Sequence, residues 1–204
     1  MGQIFRRAEK YLEQIDPNYM GWFVEVGTSR NGDDGSTWTI ANWAAHYNKK
    51  LYTIDIDPEN IKFVTKFDIP NLRTWLGSGE QFFQNFSSHI GVISFLYLDN
   101  FDWDWHPDNT EPFVVEQQSR YRELGLEMNN VNSQRAHLEQ MIAALPYMAK
   151  QSIVVLDDTW YNQWWGHYSG KGGAVVPYLL ANGYTVLETE EQPVYGTIMG
   201  RGIQ

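Results

Sequence analysis

Phe23-Val24-Glu25-Val26-Gly27-Thr28-Ser29-Arg30-Asn31-Gly32-Asp33-Asp34-Gly35-Ser36-Thr37 is an apolar run of strand length that breaks into a glycine-bearing turn and then into a helix-like segment. Such a turn lets backbone approach a ligand closely, because glycine has no Cβ and tolerates positive φ. A second apolar run, Leu51-Tyr52-Thr53-Ile54-Asp55-Ile56-Asp57-Pro58, carries an acidic side chain at its end, the usual partner of a ribose hydroxyl in this position. Together these features lead to a nucleoside cofactor. The spacing is not that of a dinucleotide fingerprint, since four residues separate Gly27 from Gly32 where G-x-G-x-x-G places one.

Outward from this core, helical spacing over Ile4–Ile15 predicts an opening helix, within residues 2–15. Strand-length apolar runs recur at Trp22–Val26, Lys50–Ile54, Leu72–Leu76, Val92–Leu98 and Ile153–Leu156, separated by helix-like segments at Ser36–Tyr47, Gly79–Phe86, Ser133–Met148 and Gly173–Asn182. Alternation of strand and helix predicts an α/β, doubly wound and mostly parallel sheet with helices on both faces. Tyr184–Glu188 and Val194–Met199 are joined by a link too short for a parallel crossover, so they close the sheet as an antiparallel hairpin and bring it to seven strands. Asn100–Asn132 exceeds an ordinary strand-to-helix connection and reads as a lid-like insertion, with Phe113–Leu126 helical.

The chain has 204 residues, a length expected to form one domain spanning 1–204. Fifteen Lys and Arg against 25 Asp and Glu give a net charge of −10, which repels phosphate backbones and anionic lipid. Nucleic acid and membrane are therefore unexpected partners, and a small-molecule substrate is favoured. The absence of cysteine excludes disulfides, thiolate catalysis and cysteine zinc sites. Residues 1–14 lack the apolar core of a signal peptide, and the longest apolar run, Ile90–Leu98, is too short to span a bilayer, so a soluble cytoplasmic protein is expected.

Glu25-Val26-Gly27 with its glycine-rich turn, an Asp at the second strand end and a seventh strand closing an antiparallel hairpin resemble the class I S-adenosylmethionine-dependent methyltransferases, with their Rossmann-like fold. Phe95-Leu96-Tyr97-Leu98-Asp99 and Ile153-Val154-Val155-Leu156-Asp157-Asp158 look more closely like the paired strand ends of the cation-dependent, catechol-type O-methyltransferases and their bacterial natural-product relatives. The resemblance spans Trp22–Gly200 and implies S-adenosyl-L-methionine as cofactor. It implies contacts from Glu25, Gly27, Thr28, Arg30, Gly35 and Ser36, from Asp55 to the ribose, from Ser78 or Glu80 to the adenine edge, and from Asp99. The residues offer other readings: the helix starting near Ser36 points a positive terminus at an anionic group, whereas Ser78 is equally a helix cap.

The same resemblance makes Asp99, Asp157 and Asp158 a three-oxygen set for Mg²⁺ or another divalent cation, which would acidify and orient an acceptor hydroxyl. This chain has Asp157-Asp158 where the catechol-type pattern has Asp-Asn, and it lacks the lysine that follows the first ligand there. His106 takes the place of general base by virtue of its titration range, with Asp99 beside it and Asp102 as a lesser candidate. Thr159–Gly172 holds Trp160, Tyr161, Trp164, Trp165, His167 and Tyr168 outside any periodic element, and Trp160, Trp164, Trp165 and His167 are the expected substrate wall, with a subunit contact and hence a homo-oligomer as the alternative. Gly170-Lys171-Gly172-Gly173 lacks the spacing of a phosphate loop and reads as the flexible end of that segment. Metal-assisted methyl transfer to a hydroxyl is the leading expectation. Metal-independent N- or O-methylation and a non-catalytic cofactor-binding protein compete with it.

Overall fold

A computed structural model describes residues 4–30, 32, 35–69, 71–86, 91–105, 111–191 and 194–203. Five parallel strands, β1 (Trp22–Val26), β2 (Leu51–Asp55), β3 (Leu72–Leu76), β4 (Ile93–Leu98) and β5 (Met148–Asp157), are built from the apolar runs. Two further strands hold a hairpin, β6 (Thr159–Asn162) with β7 (His167–Gly170), and the last two are β8 (Thr185–Glu190) and β9 (Gly196–Arg201). The main sheet has seven strands in the order β3-β2-β1-β4-β5-β9-β8, with β9 antiparallel to both of its neighbours. This is the doubly wound Rossmann-like sheet with its C-terminal antiparallel pair.

Strand side chains alternate between two cores. Phe23, Phe95, Tyr97, Ile153 and Val155 face α1 (Ile4–Arg7), α2 (Glu9–Leu12) and α3 (Ser36–His46) through Ile4, Leu12, Ile40 and Trp43. Val24, Val26, Leu96, Leu98, Val154 and Leu156 face the other way, toward Phe82, Phe83, Met141 and Leu179. Those partners lie on α5 (Gly79–Asn85), α7 (Asn130–Ala144) and α8 (Val175–Ala181), while α4 (Pro58–Val64) and α6 (Pro112–Glu123) complete the helices.

The opening helix is two single-turn pieces rather than one, and α4, capped by Asp57 and started by Pro58, was not foreseen. Thr159–Gly172 is not irregular: it is the β6–β7 hairpin, turned through Gly166 at φ +66°. The 100–132 segment contains α6 and the first turn of α7. Among the described residues no helix is long and apolar enough to cross a membrane.

Candidate functional site

Strand register assembles the site. Val26 pairs with both Ile54 and Leu98, and Leu98 pairs with Leu156, so the next residues, Asp55, Gly27, Asp99 and Asp157, form one row along the C-terminal edge. At ordinary strand spacing, Asp55 and Asp99 stand about 10 Å apart with Gly27 between them. Open α/β sheets bind ligands on this edge, where the strand order reverses. Here the reversal falls between β1 and β4.

Gly27 is fixed by sterics. Its φ is +100°, and a Cβ there would lie 2.5 Å from the Asp99 carbonyl oxygen and 2.6 Å from the Asn100 nitrogen. The turn that follows is clamped from β2, where Asp55 Oδ2 accepts hydrogen bonds from Thr28 N and Asn60 Nδ2 at 3.0 Å each. Asp55 Oδ1 accepts from Asp57 N at 2.8 Å. Burial raises the Asp55 pKa, against the pull of these donors.

Beneath the turn, the Glu25 carboxyl accepts from Ser36 Oγ at 2.5 Å, Thr37 Oγ1 at 2.5 Å and Thr53 Oγ1 at 2.7 Å. It is fully buried, and burial pushes its pKa up to about 7 although the hydroxyls oppose the shift. Glu25 and Ser36, both expected at the cofactor, are thus turned inward and tie α3 to β1. Thr37 Oγ1 also accepts from Ser29 N at 2.9 Å, which fixes the turn. The N-cap of α3 is Gly35, which has no side chain to offer, whereas α4, α5 and α7 are capped by Asp57, Ser78 and Asn129. Ser78 spends its hydroxyl on a capping box with Gln81, the alternative noted for it, and Glu80 lies in the first turn of the same helix.

The 100–132 segment folds onto this edge. Arg120 of α6 donates from Nε and Nη2 to Asp57 at 2.7 and 2.5 Å. Arg30 pairs with Asp102 at 3.7 Å, and Tyr121 Oη accepts from Asp102 N at 2.7 Å. Among the described residues Asn100 Oδ1 is buried without a hydrogen-bond partner, an acceptor left over beside the Gly27 turn. His106, Asp33 and Asp34 lie outside the described residues.

The three aspartates meet a lysine. Asp158 takes φ +44° at the end of β5, and the β6–β7 hairpin returns the chain so that Thr159 pairs with Gly170 and Lys171 N donates to the Asp158 carbonyl at 3.0 Å. Only glycine fits at 170, where a Cβ would fall 1.8 Å from that carbonyl oxygen. Lys171, whose side chain is 2% exposed, then places Nζ 2.9 Å from Asp99 Oδ1, 3.0 Å from Asp158 Oδ2 and 3.9 Å from Asp157 Oδ2. Burial lowers the lysine pKa, but Asp99, Asp158 and Asp157 overcome it and hold the ammonium charged. Asp99 is likewise kept below the usual carboxylate range by Lys171 against its own burial. Burial, then Asp99, raises Asp157 far above that range.

This corrects the metal assignment of Asp99, Asp157 and Asp158. Among the described residues no group of three His, Asp or Glu side chains is disposed to hold an ion, and the ammonium fills the space between the carboxylates. A divalent cation and Lys171 would be like charges on the same oxygens, so the residues do not fit a metal. The lysine was present in the sequence, but only the hairpin brings it to the site. A second omission is His137 on α7: Nδ1 donates to the Ser133 carbonyl at 2.8 Å, leaving Nε2 as a buried acceptor without a partner. Burial, then the Lys171 charge, lowers its pKa to about 4, so it is neutral.

The expected substrate wall divides. Trp160 packs with Trp105 at 5.2 Å between centroids, with Tyr195 at 5.2 Å and with Trp103 at 6.4 Å, next to Asp158. Trp164 and Trp165 are 94% and 73% exposed at the hairpin tip, and His167 is exposed beside them. A four-residue strand puts that tip about 13 Å from the base where Lys171 sits.

No family profile matches this sequence, and no curated protein matches it. Similar solved structures exist at low identity. A Streptococcus mutans protein in complex with SAH is 9% identical, with a TM-score of 0.55 over 100% of this chain and 99% of that one. An rRNA methylase from Streptococcus thermophilus is 12% identical, with a TM-score of 0.53 over 98% of each chain. The MycE methyltransferase of the mycinamycin biosynthetic pathway, in complex with Mg and SAH, is 10% identical with a TM-score of 0.56; 97% of this chain covers 49% of it. Identities this low establish a shared fold.

Proposed function

We propose that this chain binds S-adenosylmethionine at the edge of β2, β1 and β4 and transfers its methyl group to a hydroxyl of a small-molecule acceptor. The observation that carries the reading is the row of Asp55, Gly27 and Asp99, aligned by register around a glycine that admits no Cβ. Residues of this row and its surroundings fit a nucleoside with an amino-acid tail. Asp55 is a carboxylate acceptor for ribose hydroxyls, the α3 N-terminus begins at a glycine with no capping side chain, and Asn100 Oδ1 is an acceptor in want of a donor. When bound, the cofactor would supply a sulfonium methyl group whose carbon an oxygen nucleophile attacks, the C–O bond forming as the C–S bond breaks and the neutral thioether leaves.

The chain's own residues position the acceptor hydroxyl, and Asp158 at the end of β5 takes its proton. Asp158, 22% exposed, meets Lys171 through Oδ2, and Asp99, 30% exposed, meets Lys171 through Oδ1 and accepts from Tyr97 Oη at 3.0 Å through Oδ2, so both carboxylates are held with one side open to a hydroxyl. Trp160, stacked on Trp105 and met edge-on by Trp103 and Tyr195, gives the acceptor an aromatic wall. An rRNA methylase shares the fold, but a net charge of −10 argues against a phosphate backbone as acceptor here.

Calorimetry with S-adenosylhomocysteine tests the reading. Wild type should bind, and Asp55→Ala should bind about 10- to 100-fold more weakly, the effect of losing hydrogen bonds to a charged group. Equal affinity of the two proteins would remove Asp55 from the site.

A further inference from the structure

We propose that the Lys171 ammonium is the resident cation of the Asp99, Asp157 and Asp158 site, standing where a divalent ion would otherwise stand, so that the site works without metal and becomes a metal site only when Lys171 is removed. Three carboxylates from two strand ends converge on a single nitrogen at 2.9, 3.0 and 3.9 Å. Ammonium–carboxylate contacts are longer than the 2.0–2.6 Å of oxygen ligands to Mg²⁺ or Ca²⁺, but both place one cation at the centre of the same oxygens. The lysine is held there by backbone: its amide donates to the Asp158 carbonyl at 3.0 Å, and Gly172 N donates to Thr159 Oγ1 at 2.8 Å.

A second observation marks the position as a ligand site in waiting. Asp157 is buried, and its Oδ1 has no hydrogen-bond partner, while its Oδ2 is 3.9 Å from Nζ, beyond a hydrogen bond. The ammonium therefore meets Asp99 and Asp158 at hydrogen-bond distance and leaves Asp157 with a side-chain hydrogen bond to Asp99 and an unused Oδ1. A divalent ion, which gathers six or more oxygens, would recruit Asp157 as well. In the methyl-transfer reading, on which this role in the reaction rests, Lys171 is a positioning residue: it fixes the two carboxylates that meet the acceptor.

The experiment is a Mn²⁺ titration followed by the electron paramagnetic resonance signal of the free ion, on wild type, Lys171→Met, Lys171→Arg and the Lys171→Met/Asp157→Asn double variant, with thermal melts alongside. Wild type and Lys171→Arg should leave the free-ion signal unchanged. Lys171→Met should deplete it one-to-one, with a rise in melting temperature, and the double variant should bind at least tenfold more weakly. Stoichiometric Mn²⁺ binding by wild type that is lost in Asp99→Asn would overturn the inference. So would a Lys171→Met protein that is folded but does not bind, or one that stays unfolded with and without Mn²⁺, since a divalent ion is meant to replace the ammonium. S-adenosylhomocysteine calorimetry on the same wild-type sample separates the two proposals: absent cofactor binding with the Mn²⁺ pattern intact removes methyl transfer and leaves the cation.

Discussion

Glu25 on β1 and the Asp99, Asp157 and Asp158 set at the ends of β4 and β5 are acids of one sheet edge, fully or partly buried, and they are accommodated by opposite means. Glu25 is held by three hydroxyls, from Ser36, Thr37 and Thr53, which donate to its carboxyl. The aspartate set has an ammonium at 2.9–3.9 Å. Hydroxyls can serve either protonation state, because each can turn from donor to acceptor, so Glu25 remains titratable at about pH 7. Lysine only donates, so Asp99 is fixed as an anion and Lys171 as a cation. The first arrangement is a structural tie whose strength depends on pH. The second is a fixed dipole at the edge where chemistry is proposed.

The comparison is broken most directly at Lys171. Removing one partner of a buried charge set leaves the others uncompensated, at a cost of about 3–5 kcal/mol. Lys171→Met should lose stability on that scale in metal-free urea denaturation at pH 8, and Asp99→Asn added to it should restore part of the loss. A loss below about 1 kcal/mol would mean that water, not the lysine, neutralises the aspartates.

This contrast also marks where sequence reading ends. Strands β1 to β5 and the closing β8–β9 pair were legible because apolar runs of fixed length with glycine and proline punctuation reflect local energetics. Asp55 and Asp99 were legible as strand-end acids for the same reason. Lys171 was not, since it is separated from Asp158 by a hairpin that reads, from sequence alone, as an aromatic loop with Lys171 in its flexible end. Two aromatic-rich tetrads, Thr159–Asn162 and His167–Gly170, separated by four residues ending in glycine, were the available clue. Thr53 was hidden differently: it reads as an ordinary β-branched strand residue, and only the parallel register Glu25 to Thr53 makes it a donor.

The titratable half of the comparison is sharpened by Glu25→Gln. A carboxyl whose folded pKa is raised from 4.5 to about 7 is protonated in the native state while the unfolded chain ionises. Below about pH 4.5 both states hold the proton and the group contributes no pH dependence. As pH rises to about 7 the unfolded state is favoured progressively, by on the order of 3 kcal/mol, and above that the difference is constant. Stability of wild type measured by urea midpoints should therefore fall across this window by more than that of Glu25→Gln, which has no proton to lose. Identical slopes for the two proteins would show that Glu25 is ionised throughout.

Thr53→Val gives the smallest effect and the finest distinction. It removes the hydroxyl that donates to Glu25 Oε2 at 2.7 Å and that lies 2.8 Å from Thr28 Oγ1, while keeping the branched shape. With Glu25 protonated, the lost bond is between neutral groups and costs about 1 kcal/mol; with Glu25 ionised, it is a bond to a charge and costs about 2 kcal/mol. The destabilisation by Thr53→Val should accordingly grow between pH 5 and pH 8, and it should be flat with pH in a Glu25→Gln background. The Lys171→Met cost should be the same in a Glu25→Gln background, because its aspartates meet the ammonium and not the Glu25 carboxyl. If instead Glu25→Gln changes the pH profile of both variants alike, the two acid clusters titrate as one unit through the Asp99 charge that already contributes to raising Glu25.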